Sequence, residues 1–190
     1  MIRTNLKPDE NSIFSLYKHN RISSLTHIIN QTDEFNQTLL YLASFEGDIR
    51  LVKDLLKYGA NPNIVNVKRW SPLHSAIKMD NTEISKILIN NGANLNCLTT
   101  EIISPLTQAV IRENFELVKY IVERKCNINL CDNTLMEALL RKNIEISRYL
   151  LENGIEFKKC HHKGYNSLQI CFLLADYELF KLVLTYYLKN

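Results

Sequence analysis

Ser71-Pro72-Leu73-His74-Ser75-Ala76 is followed 33 residues later by Ser104-Pro105-Leu106-Thr107-Gln108-Ala109. Gly59-Ala60-Asn61-Pro62-Asn63 returns at the same interval as Gly92-Ala93-Asn94-Leu95-Asn96. A fixed period of this length marks stacked supersecondary units, none of which can bury its apolar face alone. The expected fold class is therefore all-α, a solenoid of helix-turn-helix units joined by turn loops. Such a stack presents a surface and rarely encloses a reaction.

Working outward, the first unit spans 33–64 and reads Thr38-Leu39-Leu40-Tyr41-Leu42-Ala43, then Leu51-Val52-Lys53-Asp54-Leu55-Leu56. The second covers 65–97 and the third 98–130, with second helices expected at Ile84 to Ile89 and Leu117 to Val122. The fourth, 131–158, arrives early: Leu135-Met136-Glu137-Ala138 follows Leu106-Thr107-Gln108-Ala109 by 29 residues, so its loop is shortened. The fifth, 159–190, restores the spacing with Leu168-Gln169-Ile170-Cys171. Residues 1–32 read as a divergent capping pair of helices.

Within each unit a first helix carries a small residue, Ala43, Ala76, Ala109, Ala138 or Cys171, where a neighbour must come close. The second helix sets apolar residues at helical spacing against the next unit. Gly59, Gly92 and Gly154 fall just past it, where a left-handed residue is wanted. The Asn-x-Asn that follows supplies side chains expected to bond their own backbone in the turn. Pro72 and Pro105 suit a helix's first turn, where a missing N–H costs nothing. No strand-like alternation competes.

The Pro-Leu-His segment at this period resembles the ankyrin repeat, whose signature includes Thr-Pro-Leu-His-x-Ala. Only the second unit keeps Pro-Leu-His intact, and the fourth, with Asn133-Thr134-Leu135-Met136, has lost most of its turn. The resemblance implies that Ser71 and His74 tie the turn to the helix, and that loop tips and first helices form a concave binding face. The Asn-, Ile- and Lys-rich diction (Ile87 to Asn96, Asn143 to Ile146) is similar to the ankyrin proteins of poxviruses, especially avian ones. That likeness implies binding of a host protein in the host cytoplasm. Longer members add an F-box-like segment that recruits a ubiquitin ligase; this chain stops at Asn190 directly after its last helix, so ligase recruitment is not expected.

Composition agrees with a folded, soluble protein: 46% of the 190 residues are hydrophobic and 23% charged. The net charge of +3 is too small to imply nucleic-acid binding. Met1 to Ser12 is polar and unlike a signal peptide. Ile170 to Ala175, the longest apolar run, is too short to span a bilayer. Five cysteines, an odd number, do not suggest a disulfide framework. Cys126 and Cys171 occupy Ala positions of other units and read as small buried residues in a reducing compartment, so a cytoplasmic location is expected.

Candidate chemistry is thin. Ser71 and His74 lack a converging nucleophile, base and orienting group. Cys160-His161-His162, with Cys131 one unit earlier, lacks the second ligand pair of a zinc site, and all four read as exposed loop residues with no metal expected. Lys57, Lys68, Arg69, Lys78, Arg112, Arg141, Lys142 and Lys163 are interspersed with Glu34, Glu46, Glu101 and Glu113, as on an ordinary solvated face. No glycine-rich phosphate loop is present, and no cofactor is expected.

Carried onto this sequence, the concave face comprises Phe35, Phe45, Glu46, Val67, Lys68, Trp70, Met79, Glu101, Ile103, Ile111, Arg112 and Tyr165. These positions are richer in large apolar side chains than a solvated surface requires, which marks an interaction site. Trp70 stands out as the expected anchor, since Trp is favoured at binding hot spots. The expected function is a non-enzymatic protein-binding module. The alternative is self-association through the fifth unit, whose Ile170 to Ala175 segment is apolar where a terminal repeat should be polar outside.

Overall fold

A computed structural model describes residues 29–158 and 161–189, without the side chain of His161. The capping pair expected over 1–32 therefore lies outside the described residues, apart from Ile29 to Thr32. Among the described residues ten helices fall in pairs: α1 (Leu39–Glu46) with α2 (Ile49–Lys57), α3 (Pro72–Lys78) with α4 (Thr82–Asn90), and α5 (Pro105–Ile111) with α6 (Phe115–Glu123). Then come α7 (Thr134–Leu140) with α8 (Ile144–Glu152), and α9 (Ser167–Leu173) with α10 (Tyr177–Lys189). The first helices stack on one another in one layer, α1 on α3 on α5 on α7 on α9, and the second helices form the other. β1 (His161–His162) and β2 (Tyr165–Asn166) make a two-residue antiparallel pair, a small departure from the strand-free expectation.

Each helix begins where a short polar side chain satisfies an orphan N–H of its first turn. Thr38, Ser71, Ser104 and Asn166 cap α1, α3, α5 and α9. Asp48, Asn81, Asn114 and Asn143 cap α2, α4, α6 and α8. The exception is Asn133, which makes no side-chain bond at the start of α7. The shortened loop removes that cap, yet α7 still packs against both α5 and α9.

Between the helices of each pair one residue must turn left-handed. Gly47 does so in the first unit, while Asp80, Glu113, Lys142 and Ala175 do so in the others. A second left-handed position follows the second helix of each of the first four units, at Gly59, Gly92 and Gly154 as expected, and at Lys125 in the third unit. Non-glycine residues at such angles carry strain, and the flanking helices and caps hold them there.

The core runs through the stack. Leu40, Leu55, Leu73, Leu88, Leu106, Ile121, Leu135 and Leu150 are fully buried, and Ala76, Ala109, Ala138 and Cys171 are inaccessible at the close approaches. Cys126 is only half-buried, and burial pushes its thiol up to about 11.

The Asn-x-Asn turns do more than expected. In Asn61/Asn63, Asn94/Asn96 and Asn127/Asn129 the first side chain accepts from the backbone N–H of the second, at 2.8–3.1 Å. The second reaches into the next unit. Asn63 Oδ1 accepts from Asn94 N–H, Asn96 Oδ1 from Asn127 N–H and Asn129 Oδ1 from Glu156 N–H, each at 2.7 Å. Asn30 makes the same bond to Asn61. The ladder ties consecutive units edge to edge, each rung contributing about 1 kcal/mol.

Candidate partner-binding surface

The loops that precede the first helices fold back on themselves. Asn66 N–H donates to the Trp70 carbonyl at 3.0 Å, and Thr99 N–H to that of Ile103 at 3.1 Å. Neighbouring loops are linked by Val67 N–H to the Phe35 carbonyl and Thr100 N–H to the Lys68 carbonyl. These bonds fix the loop tips beside the outward side of the first helices.

On this frame Phe35, Phe45, Val67, Met79 and Tyr165 are exposed, Val67 to 61% and Phe35 to 52%, as the sequence implies. Glu46, Lys68, Glu101 and Arg112 are exposed beside them, and Ile103 and Ile111 are half-buried. Phe35, Phe45 and Val67 border one hollow, with Lys68, Trp70 and Glu101, while Tyr165 lies on the fifth unit. Ile102, which the sequence reading passed over, is 63% exposed at a loop tip.

Trp70 overturns the expectation of an exposed anchor: it is 8% exposed. Asn66 Oδ1 accepts from the backbone N–H of both Lys68 and Trp70, which tightens the loop. The indole comes to rest 5.8 Å from the His74 ring, and Lys78 Nζ lies over it at 4.6 Å. Trp70 thus forms the floor of the surface and not its tip.

His74 is the polar centre of the stack. Its Nδ1 accepts from the Ser71 N–H at 3.4 Å, so Nε2 carries the proton and donates to the Ile103 carbonyl of the next unit at 3.1 Å. Complete burial lowers its pKa from 6.5 to about 4, against a smaller upward effect of the Ile103 carbonyl. In the third unit, where the sequence has lost this histidine, a hydroxyl chain takes over. Thr134 Oγ1 donates to the Cys131 carbonyl, so it accepts from Thr107 Oγ1 at 2.7 Å, which in turn accepts from Ser104 Oγ at 2.9 Å. Thr107 therefore joins units as His74 does.

One group near His74 was invisible in the sequence. Cys97 Sγ lies 3.8 Å from Nδ1 and 3.9 Å from Ser71 Oγ, a cysteine–histidine pair in outline. A nucleophilic pair needs thiolate beside imidazolium. Here burial raises the thiol and lowers the imidazole, so at no pH are both charged. The S–H donates instead to the Asn94 carbonyl at 3.1 Å.

The cluster read as exposed loop residues is also corrected. Cys131 is buried, 3% exposed, and His162 is half-buried. Among the described residues no three His, Cys, Asp or Glu side chains gather as for a metal; Cys160 and the His161 side chain lie outside them.

Stacked helical hairpins with an open face of loop tips and first helices define a repeat solenoid built to offer a surface. Residues 10–99, 39–132 and 106–189 each match the family described as Ankyrin repeats (3 copies), and the chain belongs to that family. Over 78 residues it is 37% identical to "Transient receptor potential cation channel subfamily A member 1" of Homo sapiens. That stretch is 41% of this chain and 7% of the channel subunit, so the likeness concerns a small part of the relative. Among the described residues no helix is long and apolar enough to cross a membrane. Ankyrin repeats generally mediate protein–protein interaction, through surfaces and not reaction centres.

Proposed function

We propose that this chain is a non-catalytic module that captures a partner protein on its concave face, in the cytoplasm. The observation that carries this reading is the row of exposed apolar residues, Phe35, Phe45, Val67 and Met79, on hydrogen-bonded loops and helices beside exposed charged residues. Large side chains held rigid lose little entropy on binding, which makes them good anchors. The sequence style supports a viral chain and a partner from an animal host. A second reading, self-association through α9, draws on Phe172 and Leu173, which are 75% and 58% exposed. Phe172 falls at the repeat position of Val110 and Leu139, both of which a following unit buries.

The test is affinity capture from animal-cell cytosol with the intact chain and with a Phe45→Ala, Val67→Ala, Met79→Ala variant. All three side chains are exposed, so the variant is expected to fold normally. Trp70→Ala is a poor probe, because it would open the core. One protein retained by the intact chain and lost by the variant supports the concave face. Equal retention by both contradicts it, and recovery of the chain's own copy favours the second reading.

A further inference from the structure

Position by position, the fifth unit carries the surface on which each earlier unit receives its successor. Leu168 falls at the place of Leu40, Leu73, Leu106 and Leu135, and Phe180 at that of Val52, Ser85, Val118 and Ser147. Phe172 stands where Ser44, Ile77, Val110 and Leu139 stand. All of these earlier residues are at most 2% exposed beneath the following unit. In the fifth unit Phe172 is 75% exposed, and Leu168 and Phe180 are half-buried. With Tyr165, Gln169 and Leu173 they line one hollow of about 340 Å³.

Two polar positions keep the same register. His74 accepts from the N–H of its cap Ser71 and donates across the junction to the Ile103 carbonyl. Gln169, at the position of His74, accepts from the N–H of its cap Asn166 at 3.0 Å, and its amide N–H groups find no acceptor among the described residues. In the second-helix layer Lys53 pairs with Glu83 of the next unit at 3.4 Å, and Lys86 with Glu116. Lys119 with Glu145, and Arg148 with Glu178, repeat these residue types at the next two junctions without closing the bond. Lys181 holds the basic position in the fifth unit, exposed and in no ion pair among the described residues.

We infer that the end of the fifth unit is a docking site for one further helical hairpin of the same repeat class, carried by another protein and bearing a carboxylate in the first turn of its second helix. Leu168, Phe172 and Phe180 receive its helices. The Gln169 amide donates to a carbonyl of the loop ahead of its first helix, and Lys181 faces its carboxylate. Charge disfavours a second copy of this chain as the occupant. Stacked through its first unit, a copy would offer Arg50 at the position of Glu83 and Glu116. Turned face to face, it would bring a second Lys181 and no acid, because Glu178 holds the position that looks back to the fourth unit. Exposed ion pairs contribute little, so apolar burial holds the hairpin while Lys181 selects it. The site does not depend on the concave face being a binding surface.

The probe is an array of identical consensus repeats, a class of sequence that folds readily, with a polar cap at its C-terminal end only. Its uncapped first unit carries Glu at the head of the second helix. Calorimetric titration into the full chain is expected to show one-to-one binding, unchanged by the Phe45→Ala, Val67→Ala, Met79→Ala variant. Phe172→Asp should abolish it without moving the melting temperature, since that side chain is already exposed. Changing the probe's Glu to Lys should weaken binding about fivefold, the scale of an exposed ion pair, and Lys181→Glu should restore it. No binding, binding that survives Phe172→Asp, or equal binding of an array capped at both ends would overturn the docking site. A mass of the chain alone that doubles with concentration, and is returned to monomer by Phe172→Asp, would give the face to a second copy and overturn this occupant.

Discussion

Replacing His74 by alanine is expected to cost about 3 kcal/mol at pH 7, from the lost buried bonds and the cavity left behind. His74 is wholly inaccessible and joins the second unit to the third through the Ile103 carbonyl. The same residue makes stability depend on pH. Its folded pKa is about 4 against 6.5 unfolded, so between these values the unfolded chain binds the extra proton. The contribution is therefore complete above pH 6.5 and drains away as pH falls through 6.5 toward 4. That linkage is worth about 3 kcal/mol in all. Urea unfolding of both proteins at pH 7 and pH 4.5 is expected to show a wide gap that narrows sharply in acid. A gap of constant size would mean that His74 titrates alike in the folded and the unfolded chain.

Ile121→Ala is expected to cost about 2–5 kcal/mol, the range for a large aliphatic removed from a tight core. Ile121 is fully buried in α6, which packs on α4, α5 and α8. Because each unit touches only its neighbours, a weak middle unit also uncouples the ends. The denaturant transition should therefore broaden or split, with α7 to α10 unfolding apart from α1 to α4. A single sharp transition displaced by less than about 1 kcal/mol would contradict this picture of the core.

The repeat, the small residues at close approaches and the glycines after the second helices were all legible, because they recur at one spacing. The left-handed turns at Asp80, Glu113, Lys125, Lys142 and Ala175 were not. Their conformation is imposed by the helices on either side and leaves no mark on residue type. Asn63, Asn96 and Asn129 were visible as turn formers, but which backbone N–H each would accept from depends on how far the next unit advances. Trp70 misled for a similar reason. A lone tryptophan in a loop reads as exposed, and only the Asn66 bonds turn it inward. Cys97 meets His74 solely because the next loop passes over it.

The concave surface is tested most directly by hydrogen exchange on the chain with and without its captured partner. Protection is expected to rise in the loops around 33–37 and 66–70 and along α1 and α3, with α4 and α6 unchanged. Protection confined to the second-helix layer, or to α9 and α10, would contradict the assignment of that face.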